Sequence, residues 1–235
     1  MEIDLNDFFQ YYNPKNKNHV NAVNLLANSI RSVKPELLQD TSEWVKLHRT
    51  PVNEEIVHNI SIAWFPQTDN YTLKDSTCNS SSCAMCLEYY KPGTLPGPKG
   101  DDIYLRKVLS MGASEDHGVQ TRALRSFGLE STFMYNLSFA DIDKQLEEKN
   151  PVVIGILHRG SLTSPTGGHI LVIKGKSKDG KHYIVNDPYG SLNDGYTGPV
   201  EKGRSALYSV EVLRYRWLDN RKDGTGWGRI FFPKK

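Results

Sequence analysis

Along the first half of the chain apolar residues recur at helical spacing, and beyond residue 150 they gather into short runs or alternate. HVNAVNLLANSI puts Val20, Val23, Ala27 and Ile30 on one helical face, and PELLQDTSEWVKLH carries Leu37, Leu38, Val45 and Leu47. Residues 1–55 therefore predict a helical appendage. It serves either as a packing extension, the favoured reading, or as a targeting or wall-binding module. In CNSSSCAMCLEYY, Cys83, Cys86, Leu87 and Tyr90 stand at i, i+3, i+4 and i+7, one apolar stripe turned toward a core. NSSS at 79–82 offers short polar side chains that cap a helix start, with Cys78 just ahead of it, and KPG at 91–93 stops the helix. YLRKVLSMGA and VQTRALRSFGLES predict two more helices within 101–150, separated by a solvated loop holding Glu115, Asp116 and His117. PVVIGILH, HILVIKG, KHYIVND, ALYSVEVLRY and GRIFFP then read as strands. Helices first and an antiparallel sheet second make an α+β fold, with 56–235 as its main domain.

Composition narrows the function classes. With 38% hydrophobic and 24% charged residues the chain is an ordinary globular one. Lys plus Arg (29) nearly balance Asp plus Glu (27), so nucleic acid is not an expected partner. A local basic tail of Arg221, Lys222, Arg229, Lys234 and Lys235 leans at most weakly on an anionic surface. No apolar run is long enough for a membrane span, and MEIDLNDFFQ lacks the pattern of a secretory signal. The expectation is a monomer that stays in the cytosol of the cell that makes it, without stable membrane insertion.

The three cysteines are an odd number within one short stretch, which suits a reduced protein. Their C-x4-C-x2-C spacing resembles an iron-sulfur motif, but there is no fourth cysteine to complete the cluster, and a zinc knuckle does not continue as a helix. Neither metal nor cofactor is expected. Cys78, at the helix start, meets unpaired amides and the positive end of the helix dipole, which favour a thiolate nucleophile. Such a nucleophile needs a base, a group that orients the base, and oxyanion donors. Among seven histidines, His169 stands after Gly167 and Gly168 at the mouth of the strand Ile170 to Ile173, where the glycines admit a substrate backbone. One hairpin later NDPYG brings Asp187 beside the imidazole, with Asn186 as its rival for the orienting role.

Three stretches in this order resemble the papain superfamily, and within it the peptidases that remove double-glycine leaders from bacteriocins. They are Cys78-Asn79-Ser80-Ser81-Ser82-Cys83-Ala84-Met85, Gly168-His169-Ile170-Leu171-Val172 and Asn186-Asp187-Pro188-Tyr189-Gly190. The resemblance implies a papain-like fold, a nucleophile helix packed against the sheet, and a catalytic set of Cys78, His169 and Asp187. Gln67, Asn79 and Gly168 are then expected at the oxyanion and substrate side. Two features depart from the family: Asn79-Ser80 replaces its Gly-Pro, and Gln67 lies farther upstream than the family's glutamine. Its oxyanion role requires the stretch 68–77 to loop out; the backbone amide of Cys78 is the alternative donor. The implied activity is that of a cysteine endopeptidase forming an acyl-enzyme on Cys78. Alternatives are an acyl or peptidyl transferase of the same fold, or a non-catalytic peptide-binding protein. Q-x-D-N ahead of the nucleophile motif and Gly-Trp-Gly-Arg near the end resemble phage-encoded members. For these the implied substrate is bacterial cell-wall peptide, reached with the help of a holin.

Overall fold

The computed structural model describes residues 56–233 and, apart from them, the helical position His19. Residues 55–235 form one unit. The helices expected in 1–55 lie outside the described residues, as do Lys234 and Lys235. Strand β1 (Ile56–Asn59) precedes helices α1 (Cys78–Tyr90), α2 (Gly100–Leu109) and α3 (His117–Ser126). Then come β2 (Glu130–Leu137), α4 (Phe139–Glu147), β3 (Val152–Ser161), β4 (Ser164–Ser177), β5 (His182–Asn186), β6 (Ala206–Ser209), α5 (Val210–Trp217) and β7 (Gly226–Phe232). The strands of the described residues join in one antiparallel sheet of order β2-β7-β3-β4-β5-β6, with β1 added to β4. The α+β expectation holds.

Two apolar clusters sandwich this sheet. Val153, Ile170, Val172 and Phe231 pack with α1, α2 and α3 on one face. On the other, Val152, Ile154, Ile156, Leu171 and Ile173 pack with α4 and α5. Because alternate residues of a strand point to opposite faces, a strand covered on both sides is apolar throughout, which is why PVVIGIL and HILVI are unbroken runs. Gly155 interrupts β3 for a packing reason. A Cβ there would run into the ring of Trp227, which lies across the strand. Gly155→Ala is therefore expected to lower stability by about 1–3 kcal/mol through overpacking, read as a lower urea midpoint at unchanged m-value.

Five sequence expectations change here. Helix α1 starts at Cys78 itself, so the polar run 79–82 lies inside its first turns and does not cap it. Each serine finds a tertiary partner: Ser80 Oγ shares a hydrogen bond with Ser114 Oγ at 2.9 Å, Ser81 Oγ donates to Asp101 Oδ2 at 2.7 Å, and Ser82 Oγ donates to Ile170 O at 3.2 Å. The helix is buried all round from Asn79 to Leu87, not along one stripe. The stretch Glu130–Leu137, read with the helices, is an edge strand on β7. ALYSVEVLRY is a short strand followed by a helix. Ser209 Oγ accepts the amide of Val212 at 3.1 Å and turns the chain into α5, whose Val212, Leu213 and Trp217 are buried. Nor is the Glu115–His117 region only a solvated loop, because Asp116 Oδ1 caps α3 by accepting the amides of Gly118 and Val119.

Candidate active site

Cys78 opens α1 and is half-buried, and all three cysteines are free thiols. Ser81 N bonds back to Thr77 O at 2.9 Å, so the amides of Cys78 and the residues just after it are the unpaired donors at the positive end of the helix. Cys83 and Cys86 are fully buried. Burial pushes both thiols up; the nearby Arg229 guanidinium opposes this in part. They stay protonated as core residues. Among the described residues no group of three or more His, Cys, Asp or Glu side chains is placed to hold a metal ion.

His169 comes from β4 and Asp187 from the turn just after β5, the neighbouring strand. His169 Nε2 donates to Asp187 Oδ1 at 2.7 Å, with both side chains buried. Burial alone would lower the imidazole pKa. The Asp187 carboxylate outweighs it by charge and hydrogen bond, the nearby Cys78 adds to the upward push, and His169 is pushed up to about 10. With Nε2 committed to Asp187, Nδ1 is the nitrogen left for Cys78.

The carboxylate is held from several sides. Asp187 Oδ1 also accepts from Tyr189 N at 2.9 Å, and Oδ2 accepts from Tyr208 Oη at 2.7 Å and Tyr196 Oη at 3.1 Å. Burial and the Asp187 charge raise both phenols well above their ordinary value, so they remain donors. Tyr208 and Tyr196 had no signature in the sequence. Only the inward position of Tyr208 on β6, opposite Tyr183, was readable as alternation.

A second segment is stitched to the Asp187 turn. Trp64 Nε1 donates to Asp187 O at 3.1 Å and Gln67 N donates to Pro188 O at 2.8 Å. Asn186 Nδ2 donates to Ala63 O at 3.3 Å while its Oδ1 accepts from Ser205 N at 3.0 Å, so this amide is spent on tying two loops together, and the hydrogen-bond partner of His169 is Asp187. Gln67 begins a 3-10 turn (Gln67–Asp69), and the chain from there to Cys78 does loop out. The loop is pinned where Asn70 Nδ2 donates to Thr77 Oγ1 at 2.8 Å and Ser81 Oγ at 3.1 Å. Gln67 is buried; its Nε2 donates to Lys74 O at 2.7 Å and its Oε1 has no partner among the described residues.

The remaining predicted positions separate. Gly168 is exposed beside His169, with Trp227 at ordinary contact distance from where a Cβ would sit. Asn79 turns inward: its Nδ2 donates to His117 Nδ1 at 3.2 Å and its Oδ1 faces Cys83 Sγ at 3.7 Å. That network continues to Arg229, which is wholly buried and donates to His117 O, Thr121 Oγ1 and Ser131 Oγ. Arg229 therefore does not belong to a basic surface tail.

A thiol at a helix start, paired with a histidine and an aspartate carried by an antiparallel sheet, is the arrangement of papain-like cysteine peptidases. The chain belongs to the Peptidase_C39 like family, whose family model matches residues 59–219. A C39-like peptidase from Bacillus anthracis is 13% identical, over 77% of this chain and 99% of its own, with a TM-score of 0.50. The peptidase domain of Streptococcus ComA is 13% identical over 73% of this chain and 98% of its own (TM-score 0.47). A double-glycine-motif protease of an AMS/PCAT transporter, solved with a leader peptide, is 19% identical over 76% and 96% (TM-score 0.43). No curated protein matches the sequence. Among the described residues no helix is long and apolar enough to cross a membrane.

Proposed function

We propose that the protein is a cysteine endopeptidase that cleaves a peptide amide bond through an acyl-enzyme on Cys78, with His169 as base and then acid and Asp187 as its orienting group. The observation that carries this reading is the buried His169–Asp187 pair, whose second nitrogen is left for the thiol of Cys78. The thiol proton passes to His169, and the thiolate attacks the scissile carbonyl carbon. The developing oxyanion meets the amide of Cys78 and the second N–H of the Gln67 carboxamide. As the C–N bond breaks, His169 returns its proton to the leaving amine. A water, deprotonated by His169, then adds to the thioester and releases Cys78.

The substrate class is a peptide. Bacterial cell-wall peptide is the particular one we favour, and it rests on the resemblance of the motif stretches to phage-encoded members of the family. The test incubates the purified protein with peptidoglycan and, separately, with a double-glycine leader peptide, and reads released fragments by mass spectrometry. New amine and carboxyl ends that iodoacetamide abolishes support the reading. Intact substrates in both arms, and in a broad peptide library, would overturn it. Fragments joined to an added amine in place of water would mark a transferase.

The raised pKa of His169 sets a pH expectation. The imidazolium that pairs with the thiolate persists as pH rises and is lost only on passing its own pKa. The descending limb of kcat/KM is therefore expected near pH 10, and not near the ordinary histidine value of 6.5. A pH-rate profile with its descending limb below 8 would contradict the coupling to Asp187.

A further inference from the structure

Beside the imidazole of His169 lies a cavity of about 490 Å³ lined by His158, Arg159, Tyr189, Leu192, Tyr196 and Arg216, with two glycines. It opens close to the chemistry: the ring of His158 is 5.1 Å from that of His169, and the rings of Tyr196 and Tyr189 are 5.8 and 6.1 Å away. His158 follows by two residues Ile156, which pairs directly with His169 across the β3–β4 ladder, so the two imidazoles share a face of the sheet.

The charges in this cavity are unevenly matched. His158 Nδ1 donates to Gly167 O at 2.6 Å and its Nε2 accepts from Arg159 Nε at 3.2 Å, which makes the ring a neutral wall. The carboxylates nearby are engaged, Asp187 by His169 and two tyrosines, and Asp194 by Lys202 at 2.8 Å. Arg216 donates to the carbonyls of Leu157, Arg159 and Gly160 and so braces the end of β3. The terminal nitrogens of Arg159 carry no hydrogen bond or ion pair within the described residues. Arg159 is exposed at the cavity edge, its Nε steered by His158, and a guanidinium fork so placed suits a planar carboxylate approaching two-pronged.

An extended peptide advances about 3.3–3.6 Å per residue, so a cavity this near the imidazole serves a residue within about two positions of the scissile bond. We propose that the cavity is a specificity subsite for an acidic side chain of the peptide substrate, gripped by Arg159. This rests on the peptidase reading above.

Digestion of a proteome-derived peptide library, with cleavage sites read by mass spectrometry, tests it. One position within two residues of the cleaved bond should be enriched about ten-fold in Asp and Glu over Asn and Gln. Arg159→Gln should erase that ratio and Arg159→Glu should turn it toward Lys and Arg. The same acidic ratio in all three proteins would overturn the subsite, as would no acidic ratio in the wild type. Should nothing be cleaved, the peptidase reading fails by itself, and the subsite is decided by binding. Amide spectra of the Cys78→Ala protein should then shift around residues 158–160, 189 and 196 with N-acetylglutamate amide. N-acetylglutamine amide should leave them unchanged, and Arg159→Gln should remove the response. Equal shifts with both probes, or with neither, would refute it.

Discussion

Cys78→Ala is expected to lower kcat by about four to six orders of magnitude, to the residual level left when a covalent nucleophile is removed, while the protein still folds. The thiol is half-buried at a helix start, so losing its sulfur opens no sealed cavity. Cys83→Ala and Cys86→Ala should do the reverse, retaining most activity but costing about 1–2 kcal/mol of stability, because both side chains are completely enclosed. Iodoacetamide should modify Cys78 first, with the other two protected by burial and by thiol pKa values pushed upward. Faster modification of Cys83, together with an active Cys78→Ala protein, would move the nucleophile and remove the basis for the mechanism.

The core strands were readable because burial on two faces leaves an uninterrupted apolar signature, as in HILVI and VVIGI. The Cys and Asp stretches were readable because each sits where an element begins or ends, a place marked by glycine, proline and short polar residues. His169 was found by its two glycines and the apolar run after it, but it lies within β4 (Ser164–Ser177) and not at its mouth, because the mostly exposed stretch 164–168 continues the hairpin with β3. Glu130–Leu137 escaped for the opposite reason. It is an edge strand with only Ser131 and Leu137 buried, so it carries little alternation to recognise. Helix α5 escaped because VEVL alternates locally, and only the cap by Ser209 reveals its true period. The inward turn of Asn79 and the burial of Arg229 depend on partners far along the chain, which no local pattern encodes. The same holds for the tyrosines on Asp187 and for the Arg159 cavity.

Asp187→Asn is expected to lower kcat by about three to four orders of magnitude with little change in KM. The carboxylate does not meet the substrate in this mechanism; it fixes the orientation of His169 and balances the imidazolium formed during reaction. Asn keeps the volume and one acceptor oxygen for the Tyr196 and Tyr208 hydroxyls, so this variant separates loss of charge from loss of folding better than Asp187→Ala, which would strand buried donors. Without the carboxylate the burial of His169 is no longer outweighed, so its pKa falls from about 10 and the descending limb of the pH-rate curve moves to lower pH. Asn186→Ala offers the contrast. It loses the bonds to Ala63 O and Ser205 N, which should cost about 1–2 kcal/mol of stability while kcat stays within several-fold. A near-normal Asp187→Asn beside a folded but inactive Asn186→Ala would transfer the orienting role to the amide and leave the DPYG turn as a turn alone.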